Sequence, residues 1–445
     1  MKIENCKIDN SNKIPRILLV DMNSFFASVE QQANPFFRGK PLGVCASLHD
    51  TSCLIAASKE AKAMGIKTGT LVYKARKICP KIILLKAEPE KYREVNRQIN
   101  RIFLDYTKAV EIYSIDESFL DLSDNNAPGS DKSEPPPLNL RGGRGSYKNP
   151  LLIGSEIKQR IRHEVGEWLT CSVGIAPNKF MAKLAADMEK PDGLSIVWRD
   201  YLPEIYKHKS LTDLWGISYG WQKKLAKLNI TSPLQLLGYP VENLISLFGR
   251  PGFFIWQRVN GLEIDTIARS YSDEAILPEG KTATQPSVAR GGQKSFGNSW
   301  VLNFRTTEKE RLKIVVLRLA EKAARRMRVE GFIASGMYLS ITLVDGSYLH
   351  RSKKLRFNIE TGIELYSEAL NIWKSWNFNQ EVMHIAVGFN YLLCKTKQLS
   401  LFPDKLSSLT PTLDFLNDKY GEFTVRSGLL TETTSYAPDA IAFGK

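Results

Sequence analysis

Three acidic side chains sit where acids are costly. Asp116 and Glu117 fall inside the otherwise apolar, strand-like run Tyr113-Ser114-Ile115-Asp116-Glu117-Ser118-Phe119-Leu120-Asp121-Leu122. Asp21 closes a second apolar run, Ile17-Leu18-Leu19-Val20, just before a helix begins. Burying charge there is expensive unless the charge is paired or bound to a metal. A lone acid of this kind is usually a strand-end cap or half of a salt bridge, but three at apolar strand ends point to a carboxylate cluster for a divalent ion. Oxygen ligands few in number and open to water suit Mg²⁺, so the chemistry expected of Asp21, Asp116 and Glu117 is two-metal phosphoryl transfer. Adjacent residues of a regular strand face opposite sides of a sheet. Asp116 and Glu117 can therefore share one site only near a turn, a bulge or a sheet edge.

The elements that must position these acids follow from periodicity and breakers. The strand at 17–20 feeds a helix over about 24–33, which Pro35 ends. A helix over about 91–109 leads into the acidic run, and helical periodicity resumes at 153–169. Between them, residues 124–150 carry Glu134-Pro135-Pro136-Pro137 and Arg141-Gly142-Gly143-Arg144-Gly145, a composition that buries no core and reads as a flexible insertion. Leu214-Trp215-Gly216-Ile217-Ser218-Tyr219-Gly220-Trp221 resembles a helix-hairpin-helix element, with a plain helix pair as the alternative. After a linker, alternating segments at 337–344 and 384–390 read as strands, with helices at 308–328 and 363–373. A short helix over 411–420, closed by Gly421, is expected in the tail.

Three motifs occur in a fixed order: Val20-Asp21-Met22-Asn23-Ser24-Phe25-Phe26-Ala27-Ser28-Val29-Glu30, Ser114-Ile115-Asp116-Glu117-Ser118-Phe119-Leu120-Asp121, and Cys171-Ser172-Val173-Gly174-Ile175-Ala176-Pro177-Asn178-Lys179-Phe180-Met181-Ala182-Lys183 with the residues up to Asp187. From about residue 14 to about 393 the chain resembles the Y-family DNA polymerases, the lesion-bypass enzymes. The resemblance implies a multidomain α+β right hand. Its palm would span 14–24 and 91–188, its small fingers 25–90, its helical thumb 189–262, a linker 263–286 and an α+β little finger 287–396, with a clamp-binding motif and tail over 397–445.

The same resemblance implies roles residue by residue. Asp21, Asp116 and Glu117 would hold two Mg²⁺ ions, with the backbone carbonyl of Met22 completing one coordination sphere. Phe25 and Phe26 would contact the nucleotide, Phe26 as the steric gate against a 2′-hydroxyl, although a Phe beside another on a helix is more often core. Lys179 would grip the triphosphate. Many members carry a Tyr and an Arg three apart in the fingers, where this chain has Lys59 and Lys62. Lys62 keeps the charge but lacks the bidentate fork, and Lys59 is left without a role. Asn23 stands where an acid is common. Gln398-Leu399-Ser400-Leu401-Phe402 is similar to the bacterial sliding-clamp motif, in which Gln398 makes a polar contact while Leu399, Leu401 and Phe402 are apolar anchors.

Charge agrees with a polyanionic partner. The formal net charge is +14, and residues 284–396 hold 17 Lys and Arg against 9 Asp and Glu, more than half of the excess. Lys294, the cluster Arg325, Arg326 and Arg328, and the strand-like group Lys353, Lys354 and Arg356 are the expected phosphate contacts. The six cysteines show no paired zinc spacing and read as reduced. No run approaches the roughly 20 apolar residues of a membrane span, so no membrane partner and a cytoplasmic location are expected. The expected partners are primer–template DNA, deoxynucleoside triphosphates and a sliding clamp through residues 398–402, and the chain is expected to be a monomer. The rival reading is a non-catalytic or partner-dependent accessory protein on the same scaffold, which would have lost its metal acids.

Overall fold

The computed structural model describes residues 15–123, 149–262, 267, 295–302, 304–395 and 405–430. Lys294, the clamp-like pentapeptide 398–402, nearly all of the insertion expected at 124–150 and nearly all of the linker expected at 263–286 lie outside the described residues.

The first apolar run forms β1 (Ile17–Met22), buried along its whole length. An unbroken apolar run with no polar face suits a central strand. It feeds α1 (Phe25–Ala33) through Ser24, whose φ of 50° lies in the left-handed region and turns the chain sharply off the strand. A smaller body follows, made of β2 (Leu42–Cys45), β3 (Leu54–Ala57), α2 (Lys59–Ala63), α3 (Val72–Ile78) and β4 (Ile83–Lys86). Its three strands pair in the order β3-β2-β4 around their own small core, which includes Leu54, Ile66 and Val72.

The chain then returns to β1. The amphipathic helix α4 (Pro89–Leu104) is followed by β5 (Val110–Ile112) and β6 (Glu117–Asp121). After the insertion come α5 (Pro150–Arg160), β7 (Cys171–Ala176), α6 (Lys179–Ala186) and β8 (Leu194–Ile196). These strands complete a five-stranded sheet of order β5-β6-β1-β7-β8, with β1 antiparallel to both neighbours. Successive β1 side chains feed different cores. Leu18, Val20 and Met22 pack with Phe25, Phe26 and Tyr92, whereas Ile17 and Leu19 pack with α6. By alternation Asp21 belongs to the Leu19 side, under α6.

Five short helices come next, α7 (Leu202–Tyr206), α8 (Tyr219–Ala226), α9 (Pro233–Leu237), α10 (Val241–Phe248) and α11 (Arg250–Val259), sharing a core with α6. Gly216 makes the turn before α8 at φ 85°, a conformation that a side chain would strain.

The C-terminal body is β9 (Ser295–Val301), α12 (Lys309–Val329), β10 (Phe332–Leu343), β11 (Tyr348–Ile359), α13 (Gly362–Lys374) and β12 (Val382–Cys394). Its antiparallel sheet, ordered β11-β10-β12-β9, shares one apolar core with α12 and α13, and its strands run several residues longer than the periodicity indicates. The tail helix α14 (Lys405–Tyr420) begins six residues before the expected start and passes through Pro411. The tail docks on a second stripe of α12, where Leu430 is fully buried and Phe423 lies under Arg318 and Lys322. Among the described residues, no helix is long and apolar enough to cross a membrane.

Candidate active site

The register brings the acids together. Asp21 and Glu117 are directly opposed on β1 and β6, on the face that carries Leu19 and Phe119. Asp116 is not on the strand. The N–H groups of Tyr113 and Ser114 both donate to the Glu117 carbonyl at 3.0 Å, closing a hairpin turn between β5 and β6, and Asp116 lies within it. Its carbonyl accepts the Met22 N–H at 2.9 Å, which fixes the turn against the end of β1. The run read as one strand is therefore a turn followed by a strand, and that turn lets two adjacent carboxylates serve one site.

Two lysines enter this site that the sequence did not single out. The Lys183 ammonium donates to Asp21 Oδ2 at 2.8 Å and to Glu117 Oε1, so both carboxylates converge on one cation. Lys190 donates to the same Asp21 oxygen at 2.6 Å and pairs with Asp187 at 2.7 Å. Lys183 rides on α6, directly above the Leu19 face. Lys190 rides on the loop after α6, which Asn23 helps to fix: its Oδ1 accepts the Asp192 N–H at 2.8 Å while its Nδ2 donates to Ser172 Oγ at 3.0 Å. An amide at this position both accepts and donates, which a carboxylate does not. Lys158 braces the same loop through the Gly193 carbonyl at 2.9 Å.

Burial acts to raise the Asp21 carboxyl, but the charges of Lys183 and Lys190 outweigh it and hold Asp21 below the usual carboxylate range. Asp116 is pushed up, first by burial and then by the neighbouring Asp21 charge, against its Ser114 hydrogen bond. Glu117 is also raised, by burial together with the charges of Asp21 and Asp116, although Lys183 opposes the shift. Lys62, on α2, is lowered by burial and by Lys190, with Asp21 and Asp116 pulling the other way. Three acids and three lysines thus feel one another at the end of the sheet.

Among the described residues, no three acidic, histidine or cysteine side chains are already drawn together as a metal cage. The donor set nonetheless fits a hard divalent ion. It consists of carboxylates alone, two of them converge on a single cation, and two are raised by burial and by the neighbouring acids, a shift that added positive charge would oppose.

The remaining candidates divide. Phe25 and Phe26 are nearly fully buried on α1, and the Phe26 ring stands 4.6 Å from Tyr92. Tyr92 is itself held by a 2.6 Å hydrogen bond from its hydroxyl to Glu30, a bracing residue with no mark in the sequence. Lys179, expected at the triphosphate, is buried instead and pairs with Glu111 at 2.6 Å over the Phe119 ring, one helical turn from Lys183. It lies inside the sheet–helix packing at the first position of α6, next to the cap Asn178, whose amide also donates to the Gly261 carbonyl at 3.0 Å.

The expected phosphate contacts also divide. Arg325 and Arg328 face the tail rather than solvent: Arg328 forms a two-pronged pair with Asp414, and Arg325 pairs with Asp418 and Glu422. Lys353 points to the helical side of its sheet, where it pairs with Glu368 on α13. Lys354 and Arg356 remain exposed on β11, Lys354 lying 5.0 Å over the Tyr391 ring. Arg326 is exposed and donates to the Gly297 carbonyl at 3.3 Å. An arginine-rich sequence did not reveal that acids 90 residues downstream neutralise it.

The impB/mucB/samB family matches residues 20–187, and its C-terminal domain matches residues 293–401. DNA polymerase IV of Moorella thermoacetica is 34% identical over 417 residues, covering 91% of this chain and 94% of that protein. The chain belongs to the Y family of DNA polymerases. DNA polymerase IV 1 of Bacillus subtilis is 30% identical, with 96% of each chain covered. A solved Y-family DNA polymerase chimera built on Dbh has the same fold at a TM-score of 0.67 and 22% identity, covering 85% of this chain and 99% of that one. The multidomain α+β right hand expected from the motifs is the Y-family fold.

Proposed function

We propose that this Y-family polymerase extends a primer opposite damaged template bases, adding deoxynucleotides by two-metal phosphoryl transfer. The observation that carries the reading is the convergence of Asp21, Asp116 and Glu117 at the end of the sheet, ringed by Lys62, Lys183 and Lys190. These acids, with the Met22 carbonyl, would hold two Mg²⁺ ions, which when bound activate the primer 3′-hydroxyl and steady the departing pyrophosphate. Lys190 and Lys62 supply the positive charge for the triphosphate oxygens, and Lys183, hydrogen-bonded to both Asp21 and Glu117, holds the two carboxyl groups in line. Phe26, braced by Tyr92, is the ring that excludes a ribose 2′-hydroxyl. Positioning and electrostatics are the chain's contribution to the step.

The division into palm (14–24 and 91–188), fingers (25–90), thumb (189–262) and little finger (287–396) is part of this reading, and the sheet topology supports it. So is recruitment of a monomeric, cytoplasmic enzyme to a sliding clamp through residues 398–402. The accessory-protein alternative is disfavoured, because all three metal acids are present and converge. Primer extension by the purified chain with Mg²⁺, on undamaged and lesion-bearing templates beside an Asp116→Ala, Glu117→Ala double variant, tests the proposal. Extension that the double variant abolishes supports it. No extension with a clamp present overturns it in favour of the accessory role.

A further inference from the structure

Lys59 is the fingers residue that the nucleotide reading leaves without a task. Its ammonium stands 4.7 Å from the centre of the Trp168 ring, and the Arg38 guanidinium stands 5.4 Å from the same centre. Trp168 belongs to the palm, in the segment between α5 and β7. Its indole N–H donates to Gln31 Oε1 at 3.0 Å, and its main-chain N–H donates to Gln32 Oε1 at 2.8 Å. Gln31 is buried and uses its amide fully, donating to Glu60 Oε2 at 3.2 Å and to the carbonyls of Phe37 and Lys40 at 3.2 and 3.3 Å. One indole therefore holds the first turn of α2 by two routes. Lys59 rests against its ring, and Glu60 reaches its edge through Gln31.

The short helix needs these anchors. At five residues, α2 is far below the length at which a helix holds itself in water, so tertiary contacts fix its place. Its cap, Ser58, ties it to the fingers strands through the Leu42 N–H at 3.1 Å, whereas the Lys59 and Glu60 routes tie its first turn to Trp168. Lys62 lies three residues beyond Lys59 on the same side of the helix, with Asp21 and Asp116 among the charges it feels.

We propose that Trp168 is a positioning residue for nucleotide binding: it clasps Lys59 and, through Gln31, Glu60, and so fixes Lys62 where the triphosphate must sit. On this view Lys59 acts through Trp168 rather than by touching the nucleotide. The inference rests on the polymerase reading above. It also accounts for a lysine standing where many relatives have a tyrosine.

The test is steady-state single-nucleotide insertion by the full chain on an undamaged primer–template, with melting temperatures measured alongside. The variants are Lys59→Ala, Trp168→Ala, the pair combined, Lys59→Arg and Trp168→Phe. Losing one cation–π contact or one hydrogen bond of the clasp should raise KM for the deoxynucleotide about two- to tenfold while kcat stays within about twofold. The double variant should be no worse than the worse single one, and Lys59→Arg should restore KM, since a guanidinium also stacks on an aromatic face. Trp168→Phe keeps a ring in place should the alanine variant fold poorly, and it should give an intermediate rise.

A KM raised by Lys59→Ala but not by either Trp168 variant would mean that Lys59 meets the nucleotide itself, and would overturn the proposal. Independent, additive effects would do the same. So would a fall in kcat that merely follows the melting temperature. A wild-type chain that inserts nothing would remove the polymerase reading and this inference with it, whereas an active wild type with unmoved variants removes the inference alone.

Discussion

Asp414→Ala should loosen the tail from the little finger by a measurable and bounded amount. Arg328 donates from Nε and Nη2 to the two Asp414 oxygens at 2.8 and 2.7 Å, and from Nη1 to the Glu360 carbonyl at 2.9 Å. The side chains are only 12% and 22% exposed, so truncating the aspartate strands a largely buried guanidinium. Breaking a fully buried pair costs roughly 3–5 kcal/mol, and the remaining exposure and the Glu360 contact reduce that to about 2 kcal/mol here. Amide hydrogen exchange of residues 409–430 in the full chain should therefore quicken about 30-fold. The Arg325 pairs and the buried Leu430 hold the tail in part, so exchange should rise without becoming that of a free peptide. Replacing both partners together, Arg328→Met with Asp414→Leu, should recover most of the protection, because neither member of the pair is left facing an apolar partner and the nearby buried Glu321 loses the repulsion of Asp414 along with the attraction of Arg328. Unchanged exchange in Asp414→Ala, or a double variant as open as the single one, would refute the reasoning.

Four further outcomes follow from the placement of the charges and the buried thiols. Lys354→Ala and Arg356→Ala should each reduce the salt dependence of DNA binding by about one phosphate contact, whereas Arg325→Ala should leave it unmoved; anisotropy titrations across NaCl concentrations measure the slope. Lys190→Ala should raise KM for the deoxynucleotide about tenfold or more by removing a charge-assisted contact, while Lys179→Ala, which breaks the buried pair with Glu111, should lower the melting temperature without raising KM. At pH 8 a thiol reagent should modify the exposed Cys53 and Cys394 but spare Cys45 and Cys171, whose thiols burial pushes up to about 12. Because the unfolded chain releases those two protons first, their contribution to stability is present at neutral pH and fades as pH rises above the ordinary thiol value; denaturant midpoints at pH 8 and 10 check the sign.

The parts of the fold legible in sequence were those whose signal is local. An unbroken apolar run made β1 a central strand, and helical periodicity located α1, α12 and α13 to within a few residues. The acidic run is a strand only from Glu117 onward. Tyr113 to Asp116 have strand-like composition, yet the N–H groups of Tyr113 and Ser114 turn back onto Glu117, because β5 must reverse to meet β6. Ser114 and Asp116 bond to each other inside the turn, but that short contact alone does not specify the reversal. It comes from sheet order. The same holds for the tail: its docking depends on acids at 414 and 418 on α14 and at 422 just beyond it, which meet a basic stripe of α12 formed about 90 residues earlier.

The site shows the same division between acids and lysines. A carboxylate at an apolar strand end is conspicuous because its short stem keeps it near its own backbone, so Asp21, Asp116 and Glu117 could be found where the chain bends. A lysine works at the end of a long flexible stem, and its task is set by whichever acid that stem reaches. Lys179 and Lys183 lie four residues apart on one face of α6, and both stems point down onto the sheet. Their fates differ only because the sheet presents Glu111 under one and the Asp21–Glu117 pair under the other. A motif that fixes the helix fixes both lysines at once and distinguishes neither. The distinction follows from the register of β1 against β6, which places Asp21 opposite Glu117. A one-residue slip would turn the Glu117 side chain to the opposite face of the sheet, away from Lys183, and leave Asp21 without its neighbour.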